Sequence, residues 1–268
     1  MIKLIATDID GTLLRSDHTH SAELPALLHS LKENNILFSL ASGRPYLTLL
    51  NAFNIDTTDV LFIAENGAHV VYRNKPLTIH RMDSETIERL TDTTRKIPKA
   101  YSILCTPEGA FVEEDNPDFL EELEKYYFKY TVVPDVTKVQ CDIVKYSVCD
   151  LAGVEQNSYR HFDDFKSTLQ VSLAGPAWLD IMIKGVNKGN AIQELQAALN
   201  ITEKETMVFG DYLNDLEMMK SAYYSYAMEN AHPELFEAAR FKAPSNDADG
   251  VILKIKEMLN NNLIPLEE

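Results

Sequence analysis

Apolar residues in this chain fall into short buried runs separated by amphipathic stretches. Met1–Ala6 is an apolar run of the kind that forms a buried parallel strand, and at Thr7 it turns abruptly polar. Ser21 opens a predicted helix with Leu24, Leu27, Leu28 and Leu31 at helical spacing, stopped by Asn34 and Asn35. Ile36–Ala41 predicts the next strand, which ends in Ser42-Gly43-Arg44-Pro45, where the proline suits the first turn of a following helix. Val60–Ala64 reads as a third strand, and Asn66-Gly67 as a hairpin turn into His69–Tyr72, with a further extended stretch at Leu77–Arg81 after a turn at Arg73–Pro76. Further on, Lys188–Leu199 is amphipathic, Thr206–Gly210 is a strand, Tyr223–Met228 and Phe241–Ala243 are shorter strands, and Val251–Leu259 is a closing helix. The tail Asn260–Glu268 is polar and is expected to be loose. Strands alternating with helices predict a parallel sheet with right-handed crossovers.

Between Asp83 and Lys184 the texture changes. Helical stretches (Glu85–Lys96, Phe119–Tyr127, Asn157–Leu169) interleave with short strands (Tyr101–Cys105, Ala110–Glu113, Ile143–Val148, Val171–Ala174, Leu179–Ile183). The expectation is an α/β core over 1–82 and 185–268 with an α+β domain inserted at 83–184.

Composition narrows the function. With 268 residues, 45% of them apolar, the chain can bury a substantial core. A formal charge of -16 argues against nucleic acid or an anionic membrane as partner, since both need a basic footprint. Cys105, Cys141 and Cys149 form no CxxC pair and leave one over, which speaks against a disulfide framework or a zinc site and for a reducing cytoplasm. No segment approaches the roughly 18 continuous apolar residues of a membrane span, and no targeting signal is read at the N-terminus.

Three predicted strand ends carry polar groups: Asp8 and Asp10; Ser42 with Arg44; and Asp211 with Asn214 and Asp215. In one parallel sheet such ends converge on a crevice. Asp8 and Asp10, two residues apart and followed by Gly11 and Thr12, concentrate negative charge that a cation would make tolerable, which reads as a magnesium site. Lys188, opening a helix, brings a cation to the same edge. A phosphoryl group needs metal and cationic clamps, hydrogen-bond donors and an in-line nucleophile, and this set contains one of each. Asp8 is the chosen nucleophile, forming an aspartyl-phosphate, and Asp10 the acid and base. Taken singly the residues are ordinary: Asp-x-Asp-Gly is a common turn, Ser42 could cap a helix, Lys188 could be a solvated surface lysine, Asp211 and Asp215 could cap the helix from Leu216, and Arg44 could pair with a surface acid. Their coincidence at strand ends is harder to produce by chance.

The motifs Asp8-Ile9-Asp10-Gly11-Thr12, Ala41-Ser42-Gly43-Arg44, Lys188-Gly189 and Gly210-Asp211-x-x-Asn214-Asp215 resemble, in order, the four signatures of the haloacid dehalogenase superfamily. With the insert between the second and third motifs, the chain is similar to the Cof-type phosphatases, which carry a type II cap. Glu65-Asn66-Gly67-Ala68 and Ser245–Val251 extend the likeness. The resemblance implies Asp8 as nucleophile and magnesium ligand, Asp10 as acid/base and metal ligand through its backbone carbonyl, and Asp211 as the remaining protein ligand. It implies Ser42 and Lys188 as phosphate holders, with Gly11, Gly43, Arg44 and Asn214 around the same group. Asp215 is expected to reach the metal directly or through water, and Asn66 is a weaker carry-over. Tyr212 is bulkier than the residue often found there, and Glu65 stands where asparagine is common.

The expected protein is therefore α/β, a Rossmann-like parallel-sheet core with helices on both faces and an inserted α+β cap that selects the substrate. Its expected function is Mg2+-dependent hydrolysis of small phosphomonoesters, most of all sugar phosphates, by a cytoplasmic monomer or weak homo-oligomer that binds neither nucleic acid nor membrane. A phosphomutase of the phosphomannomutase type, and a non-catalytic phosphometabolite sensor, are the alternatives.

Overall fold

A computed structural model describes residues 1–53 and 55–262, so most of the polar tail lies outside the described residues. They separate into two compact units: 1–43, 55–77 and 187–262 form the first, 44–53 and 78–186 the second.

The first unit is built on an eight-stranded sheet. In spatial order its strands are Phe241–Ala243, Tyr224–Met228, Thr206–Gly210, Leu4–Thr7, Leu37–Ala41, Val60–Ala64, His69–Tyr72 and Lys75–Ile79. The first six run parallel, with Leu4 in register with both Thr206 and Leu37. Leu4, Ile5 and Ala6 are wholly buried, which is why the opening strand reads as a continuous apolar run rather than an alternating one. Helix Leu24–Glu33 buries Leu24, Leu27 and Leu31, and begins three residues later than the expected Ser21, with a proline in its first turn. Helix Lys188–Leu199 is capped by the Asn187 side chain, which accepts from the Asn190 N–H at 2.8 Å, and ends at Asn200 in the left-handed region.

The hairpin at Asn66-Gly67 joins antiparallel strands, Ala64 pairing with His69, through residues 65–67, all at positive φ. The expected strand at Leu77–Arg81 lies instead at Lys75–Ile79. Arg73 and Asn74 both take left-handed φ, so the turn needs only these two residues. Pro76 therefore belongs to an edge strand, where a missing N–H is tolerated. Helix Pro233–Ala238 was not expected, because six residues are too few to show a helical period.

His69 is 4% exposed, and burial lowers its pKa to about 4. A group kept neutral by the fold takes up a proton more readily when unfolded, so stability is full above the ordinary histidine pKa of about 6.5 and is lost as pH falls from there towards 4. The loss should reach roughly 3 kcal/mol. Denaturant unfolding of wild type and His69→Gln between pH 7 and 4 checks this: the wild type should lose more, and equal slopes would refute it.

The second unit has a six-stranded sheet in the order Leu169–Gly175, Trp178–Ile183, Lys145–Asp150, Ala100–Thr106, Gly109–Val112, Tyr130–Val132. Pairing is antiparallel except between the last two. One face packs Leu104, Tyr146, Val148, Leu179 and Ile181 against Ile87 and Leu90 of helix Ser84–Thr94 and against Phe162. The Tyr146 hydroxyl is satisfied by Thr94 at 2.9 Å and Ser102 at 2.5 Å. Alternation puts Lys145, Ser147 and Asp180 on the opposite face, where Ser147 donates to Asp180 at 2.6 Å and Lys145 lies 3.3 Å from it. The helix expected at Asn157–Leu169 is a 3-10 helix, Tyr159–Ser167, and the strand Tyr130–Val132 was too short to anticipate. Segment Arg44–Phe53, expected with the core, groups with this unit. There the Thr48 hydroxyl donates to the Tyr126 carbonyl at 3.1 Å and accepts from the Phe128 N–H at 3.3 Å.

Candidate active site

Within the first unit, Asp8 leaves the carboxyl end of Leu4–Thr7 and Asp211 that of the adjacent strand Thr206–Gly210. The Asp8 N–H donates to the Phe209 carbonyl at 2.9 Å, so the ladder continues as far as the carboxylate. At Gly11 the backbone takes φ 77°, and a Cβ there would collide with the Asp211 carboxylate. Thr12 donates its hydroxyl to Asp211 Oδ1 at 3.0 Å. Glycine is thus needed twice over, for the turn and for the close approach.

Lys188 is wholly buried, which removes the surface-lysine reading. Its Nζ lies 2.5 Å from Asp8 Oδ1 and 2.7 Å from Asp215 Oδ1. Asp215 Oδ2 accepts from the N–H groups of Asp211 at 3.0 Å and Tyr212 at 3.2 Å. Asp215 does stand at the N-cap of helix Leu216–Lys220, but its carboxylate turns back to the strand end and to Lys188 instead of capping that helix. Gly189, next in the chain, lies against the Glu217 carbonyl, where a Cβ would collide, and so draws the two helices together.

Ser42 is 2% exposed, and its backbone closes the strand ends: its N–H donates to the Ile63 carbonyl and its carbonyl accepts from the Asn66 N–H, both at 2.9 Å. It does not cap the next helix, which begins at Tyr46 with Pro45 at the N-cap. Gly43 faces the Asn66 side-chain amide, whose Oδ1 accepts from Asn214 Nδ2 at 3.3 Å. Asp8, Asp211, Asp215, Lys188, Asn214, Gly11, Ser42 and Gly43 all belong to this unit, whereas Arg44 groups with the other.

Asp8, Asp211 and Asp215 each offer a carboxylate oxygen within 4.8 Å of the others; Asp10 is outside this group and only partly buried. Burial raises the Asp8 pKa well above the carboxylate range; Lys188 opposes the rise and Asp215 and Asp211 add to it. Burial and then Asp215 raise Asp211 to about 6, with Asp10 contributing less. Burial would lower the Lys188 pKa, but Asp215 and Asp8 outweigh it and raise it. One ammonium among three carboxylates leaves net negative charge, and an all-oxygen donor set of this kind fits a hard divalent cation such as Mg2+.

Sequence reasoning gave no role to the residues that hold the Asp8–Asp10 loop from outside, although Ser245–Val251 carries part of the resemblance. Asn230 donates to the Gly11 carbonyl at 2.8 Å and accepts from the Asn246 N–H at 3.1 Å, while Asn246 donates to the Leu14 carbonyl at 2.9 Å. Asp249 binds Arg15 through two hydrogen bonds of 2.9 and 2.7 Å, and Asp247 accepts from the Ser16 N–H and hydroxyl, both at 2.8 Å. The signal was available: Glu229-Asn230 and Ser245–Asp249 are polar segments following Met228 and Ala243, the same strand-to-polar switch that marks Asp8 and Asp211.

Residues 5–255 match the family model of haloacid dehalogenase-like hydrolases. The chain belongs to that family, and within it to the Cof-type phosphatases, so it is a phosphoric monoester hydrolase. It is 29% identical over 263 residues, 97% of each chain, to 5-amino-6-(5-phospho-D-ribitylamino)uracil phosphatase YbjI of Escherichia coli K12. It is 27% identical over 238 residues to the HMP-PP phosphatase of Escherichia coli O6:H1, covering 88% of this chain and 87% of that one. The crystal structure of SMU.1108c from Streptococcus mutans UA159 superposes with a TM-score of 0.88 at 30% identity, over 97% of this chain and all of the other. Among the described residues, no helix is long and apolar enough to cross a membrane.

Proposed function

We propose that the chain hydrolyses phosphomonoesters of small metabolites, sugar phosphates foremost, with Mg2+ and through an aspartyl-phosphate (an acyl phosphate) formed on Asp8. The observation that carries this reading is the Lys188 ammonium bridging Asp8 and Asp215 inside a buried carboxylate cluster at adjacent strand ends. Asp8, Asp211 and the Asp10 backbone carbonyl would hold the metal, which when bound neutralises charge between nucleophile and phosphate. Asp8 Oδ attacks phosphorus as the bond to the leaving oxygen breaks, and Asp10 gives that oxygen its proton. Asp10 then takes a proton from water as the water oxygen attacks phosphorus, which restores the Asp8 carboxylate and releases inorganic phosphate. Lys188 screens Asp8 against the phosphate, Ser42 and Asn214 donate to its oxygens, and the Gly11 and Gly43 turns let the backbone come close. Asp215 acts by holding Lys188 and the Asp211 loop, since both of its oxygens already accept from protein donors. The insert would choose among leaving groups.

A phosphorylated sugar alcohol occurs in the name of the YbjI relative's substrate, which supports a small phosphometabolite. Phosphate release over a broad panel of such metabolites with Mg2+ tests the reading: EDTA should abolish release, and added Mg2+ should restore it. Conversion of hexose 1-phosphate to 6-phosphate without free phosphate would make it a mutase. Tight binding without turnover across the whole panel would make it a sensor.

A further inference from the structure

We propose that Tyr212 and His232 form an aromatic wall at the rim of the acidic site, and that this wall takes the planar ring of a phosphomonoester whose alcohol portion carries one. The inference rests on the reading above for where the phosphate sits, and adds the class of leaving group.

Tyr212 directly follows Asp211, yet it is 54% exposed in a loop whose neighbours Gly210 and Asp215 are buried. Its ring meets His232 edge to face, with centroids 5.7 Å apart and planes at 82°. Both residues are tied through their main chains to residues of the cluster, Tyr212 to the Asp215 carboxylate and His232 to the Asp211 backbone. The Tyr212 N–H donates to Asp215 Oδ2 at 3.2 Å, and the His232 N–H donates to the Asp211 carbonyl at 2.8 Å. His232 Nδ1 in turn accepts from the Glu234 N–H at 3.3 Å, which fixes the rotation of the imidazole. The same hydrogen bonds that place Asp211 therefore place the two rings. Their edge-to-face contact leaves much of the exposed tyrosine ring open, and an aromatic pair ordered in advance can stack a planar group at little entropic cost.

The matched substrates are uridine 5′-monophosphate and ribose 5-phosphate, both primary phosphomonoesters on the same sugar carbon, of which only the first carries a planar ring. In Tyr212→Ala the ratio of their kcat/KM values should fall about fivefold, as expected for loss of one stacking contact, and Tyr212→Phe should preserve it. A ratio unchanged within twofold in Tyr212→Ala overturns the proposal, whether or not both rates fall together. Calorimetric binding in an Asp8→Asn background reads the same contact without turnover: adding Tyr212→Ala should weaken uridine 5′-monophosphate about fivefold and leave inorganic phosphate unchanged. Absence of any wild-type phosphate release, with the Tyr212-dependent binding difference intact, would sink only the hydrolytic reading. Phosphate release that is indifferent to Tyr212 would keep hydrolysis and remove the ring site.

Discussion

Asp8→Asn is expected to lower phosphate release by at least about a thousandfold while leaving the protein folded. Asparagine has nearly the shape of aspartate but cannot supply the attacking oxygen. Its effect on stability should be small, because the wild-type carboxylate is itself costly: burial raises its pKa, and Asp215 and Asp211 add to the strain. Lys188 keeps its 2.7 Å contact with Asp215 in the variant. Release measured on a generic aryl phosphate together with thermal melting separates the two effects. Undiminished activity in Asp8→Asn would refute the proposed chemistry, and a collapsed melting temperature would show that Asp8 holds the fold as well.

Lys188→Met should damage both properties. The buried ammonium is the protein cation touching Asp8 and Asp215, and its removal leaves two buried carboxylates uncompensated, a change that costs roughly 3–5 kcal/mol in comparable settings. The sign of the pH dependence follows from the same geometry. Lys188 pulls the Asp8 pKa down, so without it Asp8 protonates more readily and is a poorer nucleophile at neutral pH. Acid neutralises the exposed imbalance, so the stability gap between variant and wild type should narrow as pH falls from 8 to 5. Activity should drop by about a thousandfold, and Lys188→Arg should not restore it, because a planar guanidinium cannot fill the space of a compact ammonium between two carboxylates. Denaturant unfolding at several pH values checks the first expectation and phosphate release the second. A stability gap that widens in acid would contradict the reading of Lys188 as the counter-charge of Asp8.

The alternation of apolar runs and polar switches made much of the first unit legible in the chain itself. Val60–Ala64, His69–Tyr72, Thr206–Gly210 and Lys188–Leu199 lie where their patterns place them, because each apolar run or helical period is bounded by a clear turn signal or polar switch. Other short elements were missed or displaced: the six-residue helix at Pro233, the three-residue strand at Tyr130, and the edge strand whose Pro76 resembles a turn residue. At the site, sequence brought forward the charged groups together with Ser42, Asn66, Asn214 and the glycines, but gave no role to the neutral side chains that steady them. Thr12 bonds Asp211, Asn230 bonds Gly11 and Asn246, and Asn246 bonds Leu14, and residue type alone does not announce such roles. The buried bridge from Lys188 to Asp215 was equally hidden, since spacing along the chain says nothing of which oxygen an ammonium will choose.

The position of Leu4 has a consequence for how the protein is made. One neighbour in the sheet, Leu37, leaves the ribosome soon after it; the other, Thr206, is synthesised only after every segment of the second unit has appeared. The second unit can gather its core while translation continues, whereas the first waits for partners remote in sequence, a slower kind of closure. Asn246 and Asp249, later still in the chain, then brace the loop after Asp10. Asp8 is therefore synthesised long before Lys188, Asp211 and Asp215, and the carboxylate cluster closes only once those later segments have folded.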